Sequence, residues 1–196
     1  MKRLRLVILI FSLSFSCLGQ TTDSLSISYW TPKSWFSGDK KLLRSNIDNY
    51  KFTPDQINEL VNDIKTSTVL GIYYKYDPKV FHGLVPTMKF YLKQNQSENF
   101  DDFFLALKNG IESAKPLVTD FKYIDNPTTI QIGERKAFYA SSTYILKVQT
   151  GETPIVRTKF IGIPFGRKYL YVTLIDDEKE DCADLYKEVI EKIKIE

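Results

Sequence analysis

Apolar and polar positions alternate through the second half of the chain. From Arg135 to Val148, Phe138, Ala140, Ser142, Tyr144, Leu146 and Val148 fall on one face of an extended backbone, and Arg135, Tyr139, Ser141, Thr143 and Lys147 on the other. This predicts a strand over 135–148 with one buried face. Gln149-Thr150-Gly151-Glu152-Thr153 supplies turn chemistry, and Pro154–Ile163 is expected to return as a second strand. A further reversal is expected at Pro164-Phe165-Gly166-Arg167. Lys168–Ile175 is apolar on both parities, with Leu170, Val172 and Leu174 against Tyr169, Tyr171 and Ile175, which predicts a central strand covered on both sides. A sheet needing two covers implies helix above and below it. The expected fold class is therefore α+β, an α/β/α sandwich whose largely antiparallel sheet is covered by helices on both faces.

The first half supplies the other elements. Ile27–Trp30 reads as a short strand ending at Thr31-Pro32, and Ser37–Lys51 as a loop. Thr53-Pro54-Asp55-Gln56 is a helix start, with Ile57, Leu60, Val61 and Ile64 on one face. Val69–Tyr76 is predicted as a central strand and Thr87–Lys93 as a more exposed one, joined by the loop Asp77–Pro86. Asn99 is placed to cap a helix carrying Phe100, Phe103, Phe104, Leu107 and Ile111, which stops before Pro116. Pro116–Pro127 reads as an irregular crossover. After Asp176, an acidic first turn at Glu178–Asp181 is expected to open a final helix with the buried stripe Cys182, Leu185, Val189, Ile190 and Ile193.

The N-terminus changes the composition. Lys2, Arg3 and Arg5 precede an apolar run from Leu6 to Phe15, and the small residues Cys17 and Gly19 precede Gln20, the pattern of a secretory signal peptide at 1–19 cleaved between Gly19 and Gln20. The alternative is a lipoprotein, cut before Cys17 and lipid-anchored there; Ser14 stands where leucine is usual. Residues 20–26 read as a flexible lead and 27–196 as a single domain with no transmembrane segment. Three of the 27 Lys and Arg residues lie in the leader, leaving 24 against 24 Asp and Glu, so the +3 charge of the whole chain comes from targeting. Without a basic stripe, counterion-release binding to nucleic acid is not expected. After cleavage only Cys182 remains, so no intrachain disulfide is available.

Pro32-Lys33-Ser34-Trp35, the turn Ile132-Gly133-Glu134, the hairpin through Gly166 and the terminal Ile190-Glu191-Lys192-Ile193-Lys194-Ile195 follow one another in the order of the PsbP/Mog-type family, which the chain resembles over most of residues 25–195. The resemblance implies the α/β/α fold and a secreted bacterial branch. It carries over no catalytic, metal or partner-contacting residue.

The chemistry on offer is sparse. One histidine, His82, and one mature cysteine, Cys182, are too few ligands for a zinc site. They are also the only pair that could form a cysteine nucleophile and its base; Cys182 on an apolar stripe is expected to act as a small hydrophobe. Asp176, Asp177, Glu178, Glu180 and Asp181 lack the spacing of a calcium loop and are read as helix-terminal charge. Trp30 and Trp35 could stack on a sugar, but core packing is expected of them. No nucleophile elbow or phosphate loop occurs, and no cofactor is expected. Asn95-Gln96-Ser97 matches a glycosylation sequon.

The expected function is that of an exported, secreted or periplasmic, non-enzymatic binding or accessory protein of the bacterial envelope. It would act by contact with an envelope protein, through Val80, Phe81, His82, Leu84 and Val85 of the 77–86 loop. The alternative for that loop is burial against the sheet edge. The alternative function is small-molecule binding in an apolar pocket between sheet and helix.

Overall fold

Seven strands hydrogen-bond into one antiparallel sheet in the order β2-β3-β4-β8-β7-β6-β5. They are β2 (Phe36–Gly38), β3 (Thr68–Tyr74), β4 (Thr87–Gln94), β5 (Thr119–Ile132), β6 (Arg135–Ile145), β7 (Ile155–Phe165) and β8 (Lys168–Asp177). The described helices are α1 (Lys40–Asn46), α2 (Phe100–Ala114) and α3 (Ala183–Glu191). Two short strands, β1 (Ile27–Ser28) and β9 (Lys194–Ile195), pair with each other outside the main sheet. This computed structural model describes residues 26–46, 51–54, 57–58, 67–81, 83–147 and 151–196. The expected leader with Cys17, Gly19 and Gln20, all but the last residue of the 20–26 lead, most of the 54–66 helix, and His82 lie outside the described residues.

Chain order explains the strand order. After β4 the chain runs through α2 to the far edge, enters β5, and meanders back through β6 and β7 until β8 closes against β4. Two-residue turns at Gly133-Glu134 and Gly166-Arg167 drive the meander. Each begins with a glycine at φ near +58° or +57°, a backbone that a β-carbon would penalise.

Two clusters lie beneath the helices on opposite faces, and a third gathers Ile72, Tyr74 and Val85. On one face, Met88, Phe90, Ile161, Ile163, Val172 and Leu174 pack beneath Tyr186, Val189 and Ile193 at the C-terminal helix. On the other, Phe138 and Ala140 pack against Phe103 and Ile111 of α2. Asn99 caps α2 as its spacing predicts, accepting the Asp102 N–H at 2.9 Å. Gly162 lets the helix settle: a β-carbon there would collide with Leu107 Cδ1 and sit 3.0 Å from Phe103 Cζ.

The sandwich with helices covering both faces is overturned. Strand makes up 45% and helix 23% of the structure, so the architecture is a dominant antiparallel sheet rather than a three-layer stack. A 15-residue helix spans about 22 Å, whereas seven strands about 4.8 Å apart are wider than that. Part of the faces is instead closed by aromatic side chains, such as Tyr29 stacked on Phe90 and Tyr169 against Tyr171.

Four local expectations also change. Pro116–Pro127 is not an irregular crossover but largely the first part of edge strand β5, with register shifts around Asp125 and a left-handed Asp120 at φ 52°. Ser37–Lys51 is not simply a loop, since it contains the end of β2 and all of α1. β4, expected to be the more exposed strand, is more buried than β3. The acidic run Glu178–Asp181 precedes α3 instead of forming its first turn, and Tyr186, missing from the expected stripe, is almost fully buried.

Replacing Gly162 with Val is expected to cost about 2 kcal/mol or more, because α2 must lift off the sheet. A fall in the urea midpoint at unchanged slope checks this, and Leu107→Ala in the same chain recovers part of the loss.

Candidate functional site

Two stretches that stand far apart in the chain meet at one corner: the 77–86 loop, and the acidic run after β8 together with the Cys182 that follows it. β3 delivers Lys75 and Tyr76 there, and the β8–α3 connection delivers Glu180. Lys75 Nζ donates to Glu180 Oε2 at 2.5 Å, and Tyr76 Oη lies 3.0 Å from both Glu180 oxygens. The Lys75 bond holds the Glu180 carboxyl below the usual carboxylate range, and the same bond raises Lys75.

The second half of the corner centres on Arg157. Arg157 and Asp176 face each other across β7 and β8, and Nε donates to Asp176 Oδ1 at 2.8 Å. Nη2 donates to the Asp177 carbonyl at 2.8 Å, and Nη1 reaches Asp181 Oδ2 at 3.3 Å. Asp176 is buried, and its other oxygen accepts the Cys182 N–H at 2.8 Å. Asp177 Oδ1 accepts the N–H groups of Lys179 and Glu180 at 3.0 and 2.9 Å. Asp181 takes the Ala183 N–H at 2.9 Å; that bond, followed by Arg157, lowers its pKa.

Beside this network lies an open cleft of about 560 Å³, lined by Trp35, Lys75, Asp181, Cys182, Ala183, Asp184 and Leu185. Cys182 is only 5% exposed, and burial pushes its thiol pKa up. Such a thiol is protonated at neutral pH and is a poor nucleophile. Below it the Tyr186 hydroxyl donates to the Ile175 carbonyl, and Trp35 meets the Tyr186 ring edge-on at 6.5 Å. The carboxylates of Asp176, Asp177, Glu180 and Asp181 are already engaged by protein donors. Among the described residues, no three His, Cys, Asp or Glu side chains converge to hold a metal ion.

The expected contact residues divide. Val80 is 72% exposed, whereas Leu84 and Val85 are buried, Val85 with Ile72 and Tyr74. Phe81 is half-buried and stacks on Tyr76, with centroids 4.9 Å apart and planes 20° apart. His82 lies outside the described residues. Of the two tryptophans, both partly buried against the core, Trp30 also carries Lys192 Nζ 4.6 Å from its ring. Asn95 of the sequon accepts the Ser97 N–H and donates to the Gly166 carbonyl.

Sequence reasoning missed Lys75, Tyr76, Arg157 and Tyr186. A signal existed for Arg157: with a two-residue turn at Gly166-Arg167, counting back along both strands places it opposite Asp176. Nothing local marks Lys75 or Tyr76 as partners of a residue more than a hundred positions away.

No protein-family model matches the chain, and no curated protein matches it either. Among solved structures, LpqN of Mycobacterium tuberculosis, involved in cell envelope biogenesis, is similar at a TM-score of 0.52 and 14% identity, over 90% of this chain and 87% of that one. PA94 of Pseudomonas aeruginosa, a protein of unknown function, aligns at a TM-score of 0.43 and 15% identity, over 64% of this chain and 81% of that one. At such identity the likeness to LpqN is one of fold alone. Among the described residues, no helix is long and apolar enough to cross a membrane.

Two outcomes test the corner. Arg157→Ala leaves the buried Asp176 carboxylate without its cation and is expected to cost about 2 kcal/mol in chemical denaturation. Iodoacetamide at neutral pH is expected to leave Cys182 unlabelled in the folded protein and to label it in denaturant, with peptide mapping as the readout. Rapid labelling of the native thiol contradicts this account of the corner.

Proposed function

We propose that this protein is an exported, non-enzymatic binding or accessory protein of the bacterial envelope that works by contact with another envelope protein. The observation that carries the reading is Val80, an apolar side chain 72% exposed on a loop whose neighbouring apolar residues Leu84 and Val85 are buried. A loop tied by backbone bonds to the Asp77 and Pro86 carbonyls that presents one uncovered apolar group suits recognition better than chemistry. The buried thiol and the engaged carboxylates of the corner support the non-enzymatic part. The fold shared with LpqN supports the envelope part. Membership of the PsbP/Mog-type family, resting on Pro32–Trp35, Gly133-Glu134 and Gly166, belongs to the same proposal.

Small-molecule binding is the weaker reading. Met88, Phe90, Ile161, Val172 and Leu174 fill the space beneath the C-terminal helix, and the clefts beside Cys182 and beside Ile132 and Ile195 open to solvent. Neither offers the concave apolar enclosure that a small ligand needs.

A photo-crosslinking amino acid at position 80, compared with one at the similarly exposed Ile124 on β5, tests the contact. The expected result in the envelope fraction of the producing cell is one discrete protein adduct at position 80 and none at 124. The same adducts at both positions, or none at 80, sink the proposal.

A further inference from the structure

The contact loop is fastened from outside itself. Glu180 lies on the β8–α3 connection, where its N–H donates to Asp177 Oδ1 at 2.9 Å. Its carboxylate reaches across to the residues just after β3 and accepts Lys75 Nζ at 2.5 Å and Tyr76 Oη at 3.0 Å. The Tyr76 ring is thereby held by its hydroxyl end, with Lys75 Nζ 5.5 Å from its centroid. Phe81 stacks on that ring at 4.9 Å.

The loop is built around this stack. Gly83 turns the chain under Phe81 at φ +138°, and a β-carbon there would lie 3.3 Å from Phe81 Cε1. The Asp77 carbonyl accepts the Val80 and Phe81 N–H groups at 3.1 and 3.0 Å, and Asp77 Oδ1 accepts the Lys79 N–H at 3.0 Å. The Lys75 N–H donates to the Pro86 carbonyl at 3.0 Å and closes the base. A continuous path of contacts thus runs from the Glu180 carboxylate through the Tyr76 and Phe81 rings to the backbone that carries Val80.

We propose that Glu180 is a positioning residue that holds the 77–81 segment in the pose its protein partner recognises, so that the Val80 tip is presented already ordered; this role rests on the contact function proposed for Val80. The Lys75–Glu180 pair is partly exposed, with side chains 31% and 27% accessible, so its share of global stability is small. Its effect falls on a segment whose Lys79 and Val80 are exposed and whose Phe81, half-buried against the Ile72, Tyr74 and Val85 cluster, also stacks on the Tyr76 ring. An ordered tip removes the entropy that a loose loop would lose on binding.

Amide hydrogen exchange and crosslinking at position 80, in the full chain, test this together for Glu180→Ala, Glu180→Gln and Tyr76→Phe. In Glu180→Ala, exchange over residues 77–81 is expected to quicken by about tenfold or more while the β4 and β8 peptides keep their rates. Glu180→Gln, which can still accept from Tyr76, retains part of the protection, and Tyr76→Phe loses it. The position-80 adduct weakens in the same order. Unchanged exchange in Glu180→Ala overturns the proposal, as does equal loosening of β4 and β8, which marks a purely structural residue. Loosening of 77–81 with no adduct in the unmutated protein overturns both the presentation role and the contact function. Loosening with an undiminished adduct overturns the presentation role and leaves the contact function standing.

Discussion

β8 joins the two halves of the sheet. β2, β3 and β4 come from the first half of the chain and β5, β6 and β7 from the second, and they meet only where β8 pairs with β4 on one side and β7 on the other. A strand in that position must fill both faces and satisfy both edges. Leu170, Val172 and Leu174 do so on one face, with Thr173 and Tyr171 on the other. Without β8 the remaining pairs fall into two three-stranded sheets, β2-β3-β4 and β5-β6-β7, and the Met88 and Phe90 side of the core is parted from the Ile161 and Ile163 side. Its C-terminal end carries the same logic into the corner, because Asp176 and Asp177 leave the sheet buried and must be satisfied by Arg157 and by the connection they introduce.

Much of the meander was legible, and the reasons for the rest are physical. Glycine at the first position of each turn and clean alternation in β6 announce the hairpins. The both-sided apolarity of β8 announces its central place. β5 is hidden because its first part breaks the signals of a strand: Asp120 is left-handed, Pro127 interrupts the run, and the shifts around Asp125 scramble the alternation. Those features suit an edge strand, which gains by being a poor template for another chain. The helical sandwich fails for a different reason. Apolarity on both faces says that a strand is covered, not by what, and here neighbouring aromatic rings cover part of what helices were expected to cover.

The candidate site was legible in pieces and illegible as a whole. The acidic run has the pattern of solvated helix-terminal charge, yet Asp177 and Asp181 each close a turn through backbone N–H groups, and Asp176 is buried beneath Arg157. Leu84 and Val85 look like surface in the sequence because the cluster that receives Val85 includes Leu42 and Leu43, from a stretch without strand or helix periodicity. Long-range partners of this kind leave no local trace. The pairing of Arg157 with Asp176 does leave one, since a known turn length converts a hairpin into a register.

The small β1–β9 pair also shapes how the body responds to load. Ser26 and Glu196 exchange both backbone hydrogen bonds, at 3.0 and 2.9 Å, so the two ends of the described domain emerge side by side. A pull applied across these ends meets the short pair first and peels it open one bond at a time, while the seven-stranded sheet stays unloaded. Held by both ends, the domain would therefore yield first at this short clasp, before any strand of the main sheet is drawn out.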